Sequence, residues 1–130
     1  MEKIIYKTET GVAVISPTGA INDCMKDIPE GADHKIIDDS ELPKDRTFRN
    51  AWKYDLKEDI TKSKEIWKDK LRADRKPRLE ALDVEYILSL ELKDDVKQAD
   101  VITRKQVLRD ITLLVDSKKS ISGIKSVTIN

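Results

Sequence analysis

A chain of 130 residues has room for one domain with a real core and not for two independent ones. Charged residues make up 38% and hydrophobic residues another 38%, with 4 glycines and 4 prolines, a balance that favours a folded, helix-rich, soluble protein over a disordered chain. Basic and acidic residues number 25 each, so no global charge draws the chain toward nucleic acid or an anionic membrane.

Residues Lys3 to Ser16 read as a β-hairpin, because Ile4 to Tyr6 and Val12 to Val14 alternate around the polar turn Thr8-Glu9-Thr10-Gly11. Pro17 and Gly19 end it, and Ala20 to Asp27 can form a short helix with Ile21, Cys24 and Met25 on one face before Pro29 and Gly31. His34-Lys35-Ile36-Ile37, bounded by acids, reads as a third strand. Phe48 to Tyr54 alternates large and polar residues and is expected to form a fourth. A sheet that small is expected to bury one face at most and to need a helix over it.

The central stretch runs from Thr61 to Leu92 and predicts a long helix with Asp59 or Thr61 as N-cap. Trp67, Leu71, Leu79, Leu82, Tyr86 and Leu90 fall on one side of it, with Arg75 filling the gap in the stripe. Pro77 removes a backbone donor and is expected to kink or restart the helix at Lys76. Beyond Pro77 a second apolar set, Ala81, Val84 and Leu88, makes the helix apolar nearly all round, which calls for cover on both sides. Lys93-Asp94-Asp95 reverses the chain. A return helix from about Val96 to Val115 carries Val101, Leu108, Ile111 and Val115 on one face, with Val107 and Leu114 beside it. Ser117 to Ser120 and Gly123 break the helix, and Val127 to Ile129 read either as an edge strand or as a loose end.

Charge is distributed unevenly along this hairpin. From Lys62 to Arg78 eight bases stand against three acids, a local net of +5; from Glu80 to Asp100 seven acids stand against two bases, a net of −5. Basic residues at the start of the helix and acidic ones at its end oppose its macrodipole, which calls for compensation by packing or by a partner. Alternation with Glu65, Asp69 and Asp74 blunts the basic part as a phosphate-binding stripe, so nucleic acid is disfavoured as a partner.

No catalytic, cofactor-binding or metal-binding constellation is legible. His34 is the one histidine and Cys24 the one cysteine, which argues against a zinc site and an internal disulfide and suits a reducing compartment. The pairs Asp38-Asp39 and Asp94-Asp95 lack the oxygen ladder of a calcium loop, and the glycines at 11, 19, 31 and 123 form no phosphate loop. MEKIIYKTET carries no apolar run of signal length and no segment reaches the ~20 apolar residues of a membrane span, so the expected setting is cytoplasmic, with no membrane.

The order of segments, KIIDDSELP, then DRTFRNAW at Asp45 to Trp52, then KEIWKDKLRADRKPRLEALDVEY at Lys64 to Tyr86, then RKQVLRDIT at Arg104 to Thr112, resembles small proteins encoded beside tail-fibre genes in tailed bacteriophages. More loosely it resembles the tail fibre assembly chaperones. The likeness covers roughly residues 36–112 and is carried by Arg49-Asn50-Ala51-Trp52, Leu82-Asp83 and Leu108-Arg109-Asp110-Ile111-Thr112; Ser126 to Asn130 stand where those families often end in Trp-Pro. The resemblance implies a non-enzymatic protein of the infected host's cytoplasm, or of the virion tail, that binds a tail or tail-fibre polypeptide.

The expected fold is α+β: a small N-terminal antiparallel β-cap of three to four short strands (1–57), a long antiparallel helical hairpin (58–117) and a C-terminal tail (118–130), forming one compact unit. Trp67, Leu71, Arg75, Arg78, Leu82, Tyr86 and Leu90 are the expected partner-binding residues, with a homo-oligomer also open. The alternatives are a structural tail, baseplate or fibre component, and a host-directed or nucleic-acid-binding phage protein.

Overall fold

The computed structural model describes residues 1–129, and Asn130, the end of the expected tail, lies outside them. The fold is α+β, a three-stranded antiparallel sheet followed by two long helices packed against each other. Its contacts gather into two compact units, Met1–Ser63 and Lys64–Asn130.

In the first unit β1 (Glu2–Lys7) lies between β2 (Val12–Ile15) and β3 (His34–Asp38), antiparallel to both. The hairpin closes on the turn expected from sequence, with the Thr8 N–H donating to the Gly11 carbonyl at 2.9 Å and Ile4 opposite Ile15. On the other edge Ile4 faces Ile36. Ile4 and Ile5 are both fully buried. Because consecutive strand residues point to opposite faces, the sheet is covered on both sides at its centre, not on one as expected from its size. The Ile21–Asp27 segment, a 3-10 turn, packs against β1 and supplies part of that cover.

The fourth strand does not form. Asp45 accepts from the backbone N–H and the hydroxyl of Thr47, and the chain then makes a 3-10 turn at Arg49–Ala51. Phe48, Ala51 and Trp52 are buried, the spacing of a tight turn and not the period of two that strand pairing requires. Only Trp52 bridges, to Glu58.

Helix α1 runs from Ile60 to Glu91 without interruption. The Asp59 carboxylate accepts the Lys62 N–H at 3.0 Å and caps its start. Pro77 lies inside the helix and does not restart it. Pro77 and Ala73, whose carbonyl it deprives of a donor, are both exposed, so water can take that acceptor.

The reversal into α2 (Asp95–Asp116) is tight. Lys93 takes a left-handed conformation, φ 54°, while its N–H donates to the Leu90 carbonyl and the Asp94 N–H to the Ser89 carbonyl, the paired bonds of a Schellman motif. Asp94 then caps α2 by accepting the Lys97 N–H at 3.0 Å. A lysine in this conformation is strained where glycine is not. Lys93→Gly is therefore expected to raise stability by about 0.5–1 kcal/mol in urea titrations, and a loss of stability would contradict the cap geometry.

The second unit closes around Trp67, Leu71, Leu82, Val101, Ile111 and Val115, all buried. After α2 the chain forms a short helix α3 (Ile121–Lys125), with Ile124 and Val127 buried. The segment from Val127 is neither an edge strand nor loose at its start: the Trp67 indole N–H donates to the Val127 carbonyl at 2.7 Å.

At the same end, Lys68 bonds the Asp116 carboxylate at 2.5 Å and Lys64 donates to the Asp116 carbonyl at 2.9 Å. The hydrogen bond from Lys68 holds the Asp116 carboxyl below its ordinary value of 3.8, and the same bond raises Lys68 above 10.5. A depressed carboxyl contributes stability that is complete above its unfolded value and is lost as pH falls through the folded one. Wild type is expected to exceed Asp116→Asn in urea midpoint near neutrality, with the gap closing as pH drops below 3.8. A gap that persisted in acid would remove this pair as its source.

Candidate protein interface

The hairpin seam is built from residues that the two sequence periodicities place opposite each other. Arg75 on α1 is half-buried and donates to the Leu108 and Arg109 carbonyls of α2, at 3.2 and 2.9 Å. Farther along, Arg104 pairs with Glu85 at 2.7 Å, Lys105 with Asp83, and the Gln98 amide reaches the Ser89 carbonyl at 3.4 Å. Lys105 also lies over the Tyr86 ring, 5.9 Å from its centre. These contacts fix an antiparallel register and consume the inward stripe of α1.

Of the residues expected to bind a partner, Trp67, Leu71 and Leu82 are buried inside this unit, and Arg75 and Tyr86 are half-buried in the seam. Arg78 and Leu90 remain exposed. The second apolar set is also left open to solvent. Val84 is 58% exposed and Leu88 51%, with Ala81 exposed on the same side of α1 and Val107, 64% exposed, across from it on α2. Between the two helices lies an open groove of about 550 Å³, lined from α1 by Arg78, Ala81, Leu82 and Glu85 and from α2 by Thr103, Arg104, Val107 and Leu108. Sequence periodicity already marked Ala81, Val84 and Leu88 as needing cover; the return helix sides with the other stripe and leaves them open.

Three bases in the basic part of α1 are paired internally. Lys68 pairs with Glu65 and Asp116, Lys70 with Asp74, and Arg72 with Asp69. Asp74 thus takes Lys70, four residues back, not Arg78 as its spacing also allowed. In the acidic part Glu85 and Asp100 are held by Arg104, yet Glu80, Glu91 and Asp95 make no ion pair among the described residues.

No protein-family model matches the chain, and no match was found among curated proteins or solved structures. Among the described residues no cluster of three or more His, Cys, Asp or Glu could hold a metal ion, and no helix is long and apolar enough to cross a membrane. Cys24 is half-buried in the Ile21–Asp27 turn and His34 is exposed at the start of β3.

Proposed function

We propose that this protein is a non-enzymatic accessory or assembly factor of a bacteriophage tail, which binds a tail or tail-fibre polypeptide in the infected cell through the outer face of its helical hairpin. One observation carries the binding part: Ala81, Val84 and Leu88 stand exposed on one side of α1, with Val107 exposed on α2 across a groove that Ala81 also lines. Apolar side chains gathered on one face cost free energy in water and mark association surfaces. The tail-fibre part is supported by the resemblance over roughly residues 36–112. The internal pairing of Lys68, Lys70 and Arg72 leaves less positive field for a phosphate backbone, which favours a polypeptide partner over nucleic acid.

Affinity capture from phage-infected cells tests this reading. A tail or fibre polypeptide should be recovered with the wild-type chain and not with Leu88→Ser. Recovery of no tail protein, together with absence from tail assemblies, would sink the proposal. Mass spectrometry of purified particles then separates the two roles, because an assembly factor is missing from the virion and a structural component is stoichiometric.

A further inference from the structure

We infer that a second site lies in the Met1–Ser63 unit, a small cavity beside Trp52 that takes a carboxylate carried on an apolar body. It is separate from the hairpin face and goes beyond the functional reading above.

The cavity, of about 330 Å³, is formed by the chain between β3 and the Arg49–Ala51 turn, with Trp52 beyond it. Asp38 fixes one wall. Its carboxylate accepts the Ser40 N–H at 2.9 Å and the Ser40 hydroxyl at 2.7 Å, while Glu41 accepts the Asp38 N–H at 2.8 Å. This reciprocal cap closes a 3-10 turn at Asp39–Glu41 and leads straight into Leu42 and Pro43, both half-buried in the lining. Trp52, 2% exposed, lines the cavity as well. The volume stands at the low end of small-molecule sites, roughly 300–1,000 Å³, and suits one small ligand.

The open hydrogen-bonding capacity here is all of one kind. The Trp52 indole N–H is buried without an acceptor, and a buried donor left unpaired costs about 1–3 kcal/mol. Arg46 lies over the Trp52 ring, 5.9 Å from its centre. Neither Arg46 nor Lys44, both exposed in the lining, makes an ion pair among the described residues. The nearby acids, by contrast, already hold donors. Asp39, the acid in the lining, pairs with Lys3 at 3.3 Å; Asp38 and Glu41 hold the turn, and Asp45 accepts from Thr47. Donors without acceptors, beside acceptors that have donors, call for a ligand that brings acceptors.

A planar carboxylate offers two oxygens to the Arg46 fork. The four acids keep their charge even where they are bonded, and that charge opposes a phosphate dianion about twice as strongly as a carboxylate. Leu42, Pro43 and the indole ring favour an apolar body over a bare ion.

Proton–nitrogen NMR of the full chain tests this, because its two tryptophans give separate indole signals. The Trp67 N–H is already bonded to the Val127 carbonyl, and the Trp52 N–H is not bonded. Titration with isovalerate is expected to move the Trp52 signal, with saturation at about millimolar concentration, and to leave the Trp67 signal in place. The neutral amide of the same acid, and inorganic phosphate, should each bind at least about tenfold more weakly. Arg46→Gln should weaken isovalerate about tenfold. Arg49 is exposed outside the lining, so Arg49→Gln should leave binding unchanged. The spectrum of each variant shows whether it is folded. A short peptide ending in leucine with a free carboxylate identifies the source. Tighter binding than isovalerate supports the site as a receptor for a chain terminus, and equal or weaker binding supports it as one for a small free acid.

No saturable shift of the Trp52 signal with either carboxylate overturns the inference. Equal binding of the acid and its amide, or tighter binding of phosphate, overturns the choice of ligand. Equal effects of Arg46→Gln and Arg49→Gln mark an adventitious ion only and overturn the site. Loss of this site leaves the tail-binding reading standing, and failure to capture a tail polypeptide leaves this site standing.

Discussion

Leu82→Asp is expected to unfold the Lys64–Asn130 unit, while Val84→Asp, two residues on, leaves it folded. Leu82 is 7% exposed in the seam. Removing such a side chain costs about 2–5 kcal/mol, and a carboxylate in its place adds several more for a buried charge without a partner. A unit of this size holds only about 3–10 kcal/mol in all. Val84 is 58% exposed, so its replacement should change stability by about 0.5 kcal/mol or less while removing a contact from the outer ridge. Urea unfolding followed by circular dichroism separates the two. If both variants unfold, α1 is covered on both sides; if neither does, the stripe through Leu82 does not face α2.

Trp67→Ala should be the second most damaging change, at about 3–5 kcal/mol. The ring is buried, Lys70 lies over it at 4.8 Å, and its indole N–H donates to the Val127 carbonyl. The loss should have a local signature: amide exchange in α3 and at Val127 should accelerate before that in the α2 residues near Val101. Trp67→Phe keeps most of the packing and drops the hydrogen bond, so it should cost closer to 1 kcal/mol. Equal costs for the two variants would mean that the indole N–H, and not the ring, holds the C-terminal segment.

The strongly periodic parts of the fold were readable from sequence. Val101, Ile111 and Val115 fall on the face expected to be buried, and the β-hairpin closes on its expected turn. Phe48 to Trp52 was not, because alternating large and polar residues over so short a run also describe a tight turn, and the Asp45 side chain decides for the turn by capping Thr47. Pro77 misled for a related reason: its penalty presumes a carbonyl sealed from water, and Ala73 is exposed. The interface was half legible. Two apolar stripes on α1 were evident, but which of them meets α2 depends on register across the reversal, set by Arg75, Glu85 and Arg104 reaching across the seam. An arginine on an apolar stripe reads equally as a partner anchor and as a tie to a neighbouring backbone; Arg75 is the latter.

The position of β1 in the middle of its sheet bears on how the chain is made. β1 precedes both of its partners in the chain and has both edges to satisfy, one by β2 and the other by β3, whose last residue is Asp38. Until that point is synthesised, one row of β1 amides and carbonyls has no strand to meet, so the nascent chain carries an open edge beside Ile4 and Ile5. The hairpin of α1 and α2 has the opposite schedule, since each helix can form from its own residues as they emerge. Slow synonymous codons placed so that a pause leaves β3 just clear of the exit tunnel should therefore help the yield of folded protein more than the same codons placed after Asp116.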